Sequence, residues 1–205
     1  MEYEFTLVEL YEYVKATMKT IAASVETEAD NLHPSEVTAL INAILTAHRE
    51  NKRIFLTGAG RSGLVASAFA MRLMHLDFTV YVIGEIVTPA VESDDLVIAI
   101  SGSGETSPIS EMSTIIKEKG TKLAVVTSNK NSRLGSLADI TVQISGRPHI
   151  DSVSFLERQL TGISISFAPL GTIFENNVMI LMDSVIAGLM LATGKSEADM
   201  RQKHF

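Results

Sequence analysis

Two short segments combine glycine with hydroxyl side chains, as anion-binding loops do: TGAGRSG at residues 57–63 and SGSGETS at residues 101–107. In the second segment, Gly102 and Gly104 allow the backbone to approach a ligand closely and to adopt conformations that other residues avoid. The same segment supplies three hydroxyl groups, on Ser101, Ser103 and Thr106. A helix that follows would direct its free N–H groups and the positive end of its dipole to the same place. The segment therefore predicts a cradle for an anion that needs no lysine, and Glu105 must point its carboxylate away from that anion. The alternative is a turn that only caps a helix.

The first segment, GAGRSG, matches the G-x-G-x-x-G spacing of dinucleotide-binding loops. That interpretation requires an acidic residue about 20 positions further on, for which Asp77 and Glu85 are the candidates. It leaves the second segment without a role and does not account for the two helices predicted before the first strand. A site that uses both segments is the better hypothesis. Arg61 has alternatives of its own, since it could cap a carbonyl or pair with an acidic side chain.

Strand and helix patterns alternate along the chain and place both segments at the ends of strands. This alternation predicts an α/β fold, a three-layer αβα sandwich around a five-stranded parallel sheet. In a flavodoxin-like strand order, 2-1-3-4-5, the first and third strands are neighbours at the switch point where ligands bind. These two strands carry the two segments. Strands are predicted within residues 52–57, 78–84, 95–101, 122–128 and 140–145, and helices within 3–27, 35–51, 62–76, 107–120, 132–138 and 168–193, while residues 145–167 have the weakest pattern.

Composition limits the classes of function. The length of 205 residues favours a single domain spanning 1–205, and 46% hydrophobic with 20% charged residues is typical of a globular protein. The net charge of -7, without a Lys/Arg cluster, argues against nucleic-acid and membrane partners. The absence of cysteine excludes disulfides, thiolate metal sites and a catalytic thiol. The apolar stretch 177–193 is interrupted by Asp183 and is interpreted as a buried helix.

From about residue 35 to its end, the chain resembles the SIS (sugar isomerase) domain family. The family pattern has a Gly/Ser turn after the first strand and an S-x-S-x-x-T loop after the third, and GAGRSG and SGSGET match both. The stretches GAGRSGLVASAFAMRLMHL, AISGSGETSP, PLGTIFEN and MRQKHF are most similar to members that interconvert 3-hexulose 6-phosphate and fructose 6-phosphate. The resemblance implies a cytoplasmic sugar-phosphate isomerase of the ribulose monophosphate pathway.

The resemblance also implies roles for particular residues. Arg61 is expected to contact the phosphate or the sugar, Glu175 to be the catalytic acid–base group, and His204 to be the histidine that can reach a neighbouring subunit's site. The remaining substrate-binding residues implied are Gly60, Ser62, Ser101, Gly102, Ser103 and Thr106. A sugar phosphate is the implied ligand, no metal or cofactor is implied, and the chain is expected to form a homo-oligomer, a tetramer or a dimer.

The chemistry of these residue types suits that reaction. Moving a carbonyl from C3 to C2 through an enediol needs a group that removes a carbon-bound proton and returns it, and one carboxylate can do both. Glu175 follows PLGT at the start of a long apolar helix, where partial burial can tune its basicity. A histidine is suited to moving protons between the two oxygens. Alternatively, Glu175 could merely complement the helix dipole, and His204 could be a tail residue without a role.

Two alternative functions remain open. One is another SIS isomerase, acting on arabinose 5-phosphate or sedoheptulose 7-phosphate; the segment MRLMH and the carboxy-terminal histidine favour the hexulose enzyme instead. The other is a non-catalytic sensor that binds a sugar phosphate to regulate a partner. Such sensors often carry a DNA-binding helix-turn-helix, and the acidic first 50 residues lack a basic recognition helix.

Overall fold

The structure is a computed structural model that describes residues 6–146, 168–169 and 171–203. Two helices precede the first strand, and strands and helices then alternate. The strands are β1 Ile54–Gly58, β2 Val80–Val82, β3 Leu96–Ile100, β4 Lys122–Thr127 and β5 Ile140–Gln143. The helices are α1 Leu7–Asn31, α2 Pro34–Arg49, α3 Arg61–His75, α4 Ser107–Glu118, α5 Arg133–Leu137, α6 Thr172–Thr193 and α7 Glu197–Gln202.

The five strands form one parallel sheet in the order β2-β1-β3-β4-β5, which confirms the predicted strand order. β1 lies between β2 and β3, so the chain leaves β1 and β3 at neighbouring points of the same sheet edge. In the register of this pair, Gly58 is opposite Ile100. The residues that follow these two positions are the two glycine-rich segments, and the fold therefore places them side by side.

Helices cover both faces of the sheet, which confirms the three-layer architecture. On one face, alternate strand residues such as Leu56 and Ile98 pack against α2, α3 and α6. On the other face, Phe55, Val97 and Val125 pack against α4 and α5. The central strands are buried on both sides, as parallel strands in α/β folds are, and their ends are held rigidly as a result.

The largest differences from the predicted helix boundaries are in α1 and α6. α1 begins at Leu7 rather than at residue 3, because Thr6 is extended and forms the N-cap. α1 extends to Asn31 rather than to residue 27, because nothing breaks the helix before Leu32, His33 and Pro34. α6 begins at Thr172 rather than at Ala168, because Gly171 adopts a left-handed conformation (φ 71°) and forms the N-cap. The weakly patterned segment 145–167 falls for the most part outside the described residues.

α6 is long and apolar enough to cross a membrane by length and composition alone. Several of its apolar side chains, including Val178, Leu181 and Val185, are instead buried against the sheet and α3. This agrees with the interpretation of the stretch as a core helix.

α1 has two different halves. Its C-terminal half packs on α6, where the hydroxyl of Ser24 donates to Asn177 Oδ1 at 3.1 Å. Its N-terminal half, residues 6–15, is exposed on all sides. The exposed apolar residues of this half and the next turn include Leu7, Val8, Leu10, Tyr11, Val14 and Met18.

Candidate active site

The loop after β1 is closely packed around glycine. A Cβ atom on Gly58 would lie 2.8 Å from the carbonyl carbon of Ser62, and one on Gly63 would lie 2.7 Å from the Gly58 oxygen. Gly60 is the N-cap of α3 with φ 55° and ψ -129°, a conformation that a side chain would strain. The first turn of α3 therefore begins directly at the strand end, with Arg61 exposed and Ser62 buried.

The loop after β3 is shaped by its own hydroxyl groups. Ser101 is buried, and its Oγ accepts a hydrogen bond from the Gly104 N–H at 3.3 Å and lies 3.3 Å from Thr106 Oγ1. The Ser103 hydroxyl is exposed and accepts from the Glu105 N–H at 3.2 Å. Within the described part of the chain, no side chain caps the N-terminus of α4 at Thr106. The loop thus presents a helix end and two accessible hydroxyl groups to the site.

Glu105 turns out of this loop. Its Oε1 accepts a hydrogen bond from the Arg133 N–H, at the start of α5, at 2.9 Å. The carboxylate is thereby held away from the hydroxyl groups, as the predicted anion cradle requires.

The loop after β4 supports the cradle, a role that no motif in the sequence predicts. The Gly102 carbonyl accepts hydrogen bonds from the Ser128 N–H at 3.0 Å and from the Ser128 hydroxyl at 2.7 Å. Gly104 has φ 68°, and a Cβ there would lie only 1.9 Å from Ser132 Oγ. The signal that could have revealed this support is positional, since β4 ends at the same sheet edge as β3.

Glu175 lies in the first turn of α6, with its side chain 13% exposed. Its Oε2 accepts a hydrogen bond from Arg61 Nε, so the structure brings these two predicted site residues together. The carboxylate stands over Gly171, where an added Cβ would lie 2.9 Å from Oε1. The alternative of an ion pair for Arg61 is realised, and its partner is the predicted catalytic carboxylate.

Phe174 joins α6 to the cradle, and sequence reasoning missed it. Its ring is buried, and Cδ1 would lie 3.1 Å from a Cβ on Gly102. Close packing of an aromatic ring on loop backbone fixes the separation of the two parts of the site. Phe174 precedes Glu175 in the chain, so the same turn of helix carries both the contact and the carboxylate.

Glu36 and Lys130 form an ion pair that ties α2 to the loop after β4. Burial raises the pKa of the Glu36 carboxyl, but hydrogen bonds from Lys130 and from the Gln143 N–H at 2.8 Å outweigh burial and hold that pKa below its ordinary value. Glu36 is therefore charged at neutral pH and helps to fix the loop that supports the cradle.

His204 lies outside the described residues, but the residue before it is placed. Lys203 Nζ lies 2.9 Å from Asp77 Oδ1, and Lys195 Nζ donates to Asp77 Oδ2 at 2.7 Å. These two hydrogen bonds lower the pKa of Asp77 to about 2. Asp77 follows the C-terminal end of α3, whose 15 residues span roughly 21 Å at about 1.5 Å per residue. Lys203 is thus anchored at the end of α3 opposite Arg61.

A groove of about 550 Å³ lies at that same far end, between α3, α6 and α7. It is separate from the two loops, and its lining includes Arg72, His75, Asp183, Met190, Glu197 and Arg201. Among the described residues, no group of three or more His, Asp or Glu is placed to hold a metal ion.

The residues at this sheet edge can bind an anion and exchange a proton with it. Hydroxyl groups and the start of α4 can hold an anion such as a phosphate, which suits a phosphorylated ligand. The Glu175 carboxylate, mostly shielded from water, can exchange a proton with that ligand. Arg61 adds a cation that is hydrogen-bonded to Glu175.

Comparisons with known proteins show which family and fold the chain shares. The SIS domain family model matches residues 48–182. An uncharacterised protein from Aeropyrum pernix is 40% identical over 189 residues, which is 92% of this chain and 89% of that protein. The 3-hexulose-6-phosphate isomerase of Bacillus subtilis is 37% identical over 169 residues, 82% of this chain and 85% of that enzyme. A crystal structure from Methanococcus jannaschii, for which the function of 3-hexulose-6-phosphate isomerase was inferred, superposes with a TM-score of 0.72 at 29% identity, covering 95% of this chain and 98% of that one.

Proposed function

Because this chain belongs to the SIS domain family, we propose that it interconverts D-arabino-3-hexulose 6-phosphate and fructose 6-phosphate through an enediol. Its relatives establish the coarser activity, a sugar-phosphate isomerase. The observation that carries the finer proposal is the meeting of an anion cradle with a shielded carboxylate, Glu175, at one sheet edge. The substrate is taken from the enzymes of similar sequence that carry this name.

In the proposed mechanism, the phosphate binds at the two loops. Its partners are Gly60 and Ser62 at the start of α3 and four residues of the β3 loop, Ser101, Gly102, Ser103 and Thr106. The sugar then extends towards α6. Glu175 removes the proton from C2, which gives the enediol, and returns that proton to C3, so that the carbonyl moves from C3 to C2. The substrate and the product therefore contain the same atoms, as an isomerisation requires.

A second group must move protons between O2 and O3 of the enediol, and we assign this role to His204. Lys203 is anchored on Asp77, at the end of α3 remote from Arg61. This anchorage supports a role for His204 in the site of a neighbouring subunit rather than in its own.

The chain is proposed to act as a homo-oligomer, a tetramer or a dimer, in the cytoplasm. The support is the exposed N-terminal half of α1, because an amphipathic helix that exposes residues such as Leu7, Tyr11, Val14 and Met18 is typical of a helix that packs on another copy. Exposed Leu64 and Met71 on α3 provide a second apolar area of the same kind.

The test is a coupled assay. The purified protein receives 3-hexulose 6-phosphate, made in place from ribulose 5-phosphate and formaldehyde by a synthase, and fructose 6-phosphate is measured. Rapid formation of fructose 6-phosphate, with arabinose 5-phosphate inert, is the expected result. A folded protein that isomerises arabinose 5-phosphate instead would overturn the substrate assignment while leaving the isomerase activity in place.

A further inference from the structure

We propose that Arg61 is a positioning residue that couples recognition of the phosphate to the orientation of Glu175. Its Nε holds one oxygen of the carboxylate, while its two terminal nitrogens are left for the phosphate. This inference rests on the proposed function and deepens it, since it states how the binding half of the site controls the reacting half.

The guanidinium has enough N–H donors to bind Glu175 and a phosphate at the same time. An arginine carries five N–H donors in a planar fork. In the described part of the chain, only Nε of Arg61 is used, and its acceptor is Glu175 Oε2. The side chain is 59% exposed, and within the described residues Nη1 and Nη2 have no hydrogen-bond partner. That edge has the geometry that binds phosphate through two parallel hydrogen bonds.

The position of Arg61 is fixed by its backbone rather than by its side chain. The first turn of α3 packs directly on the end of β1, because a Cβ added at Gly58 would lie 2.8 Å from the Ser62 carbonyl carbon and one at Gly63 would lie 2.7 Å from the Gly58 oxygen. The guanidinium therefore starts from a rigid point beside β1, next to the β3 loop that forms the cradle. The proposal places a phosphate held by that loop at the terminal nitrogens of Arg61, since Nε is bonded to Glu175.

The orientation of Glu175 depends on this contact. Its neighbour on the other side is Gly171, which offers hydrogen atoms but no side chain to fix the carboxylate. Among the described residues, Arg61 is the hydrogen-bond partner that selects one orientation of the carboxylate, and Oε1 accepts no hydrogen bond from them. A phosphate that immobilises the guanidinium also immobilises the carboxylate, with Oε1 available to exchange the proton. Such positioning changes rates strongly, because small displacements of a reacting group are costly.

The first experiment separates binding from turnover. Arg61→Met and Arg61→Lys are compared with Ser103→Ala, which removes a proposed phosphate contact that does not touch Glu175. We expect Ser103→Ala to raise KM with little change in kcat. Both Arg61 variants should raise KM and also lower kcat by about a hundredfold at saturating substrate. Lysine should not restore kcat, because a single ammonium lacks the planar fork.

In the second experiment, the sugar lacks its phosphate group and a free dianion in solution takes the place of that group. The substrate is D-arabino-3-hexulose without its phosphate, and phosphite dianion is added to the assay. In the unaltered protein, phosphite should accelerate turnover of this truncated sugar, because it binds the Nη edge and fixes Arg61 on Glu175. In Arg61→Ala the acceleration should vanish, and added guanidinium ion should restore part of it.

Two outcomes overturn the inference. Arg61 variants with unchanged kcat and raised KM would make Arg61 a phosphate contact only, and phosphite activation that survives in Arg61→Ala would remove it from the coupling. These outcomes differ from failure of the proposed function, in which the unaltered protein does not convert 3-hexulose 6-phosphate at all. Thermal melting of each variant shows that the fold is intact, as expected for a side chain this exposed.

Discussion

The chemical setting of Glu175 combines neighbours on its own turn of α6 with contacts to distant parts of the sequence. Arg61 holds its carboxylate, Gly171 frames it, and the adjacent Phe174 packs against Gly102 of the cradle. The contact with Gly171 lies within one turn of α6 and follows helix periodicity. The contacts of Arg61 with Glu175 and of Phe174 with Gly102 join separate segments of the chain, and helix periodicity does not predict them. The choice of Glu175 came from its resemblance to the family's acid–base residue and from its place at the start of an apolar helix.

Glu175→Gln should abolish turnover while leaving the binding of sugar phosphate largely intact. The amide keeps the shape of the side chain but cannot accept a proton from carbon. The measurement is the coupled assay, together with the Kd of fructose 6-phosphate by calorimetry. Asp183→Asn is the matched control, because it makes the same chemical change at an exposed position of the same helix, and its kcat should be unchanged. Full activity in Glu175→Gln would contradict the assignment of Glu175 as the acid–base group.

Gly102→Ala should raise KM several-fold. The new methyl group would lie 3.1 Å from Phe174 Cδ1, so either the loop or the buried ring must move, and the cradle loses its shape. Gly188→Ala serves as the control: nothing lies within 4 Å of its added Cβ, and alanine favours the α6 helix by about 0.5–1 kcal/mol. If Gly102→Ala binds substrate as well as the unaltered protein, then Phe174 does not set the position of the loop.

The strands and helices were predictable because their patterns are local. The parallel strands appear as short apolar runs that end in glycine or hydroxyl residues, and the sheet order followed from placing both loops at a switch point. The support from the β4 loop was missed. The hydrogen bonds from Ser128 to the Gly102 carbonyl exist only once β3 and β4 are paired, and no spacing along the chain encodes them.

Asp139 shows how one side chain joins three elements. It lies just before β5, accepts from the Leu123 N–H of β4 at 2.8 Å, and accepts from Lys117 of α4 at 2.6 Å. Burial raises the pKa of the Asp139 carboxyl, but the hydrogen bonds from Leu123 and Lys117 outweigh burial and hold the pKa below its ordinary value of 3.8. The charged carboxylate is therefore the form that stabilises the fold.

Asp139→Asn should lower the melting temperature at neutral pH by roughly 2–4 °C, the equivalent of about 1 kcal/mol for a charged hydrogen bond in a protein of this size. A carboxyl with a lowered folded-state pKa contributes stability above its ordinary value of 3.8 and loses that contribution as the pH falls through the folded value. The difference in melting temperature should therefore persist at pH 6 and shrink below pH 3.8. Asp30→Asn, at an exposed position of α1, should show no such trend. A difference that does not depend on pH would contradict the role of the charge.

The proposal that another copy completes the site rests on exposed features of the described residues. Apolar residues cover the free half of α1, and the carboxy-terminal helix α7 is anchored far from Glu175 through Lys203 and Asp77. An isolated chain would leave Leu7, Tyr11 and Val14 in water. Assembly buries such residues and also allows a tail from one subunit to approach the site of the next.

Subunit mixing tests this arrangement directly. Glu175→Gln and His204→Ala should each be inactive as pure oligomers. When the two variants are unfolded, mixed in equal amounts and refolded together, sites that combine Glu175 of one chain with His204 of another become possible. If chains assort at random, the chain that supplies the carboxylate has an intact Glu175 in about one case in two. The chain that supplies the imidazole has an intact His204 in about one case in two. About a quarter of the sites should therefore recover activity. Recovery requires that Glu175 and His204 of one site come from two different chains.

If each site uses its own His204, every chain in the mixture lacks one of the two groups and the mixture stays inactive. Refolding the two variants separately and then combining them without exchange is the control, and it should give no activity in either case.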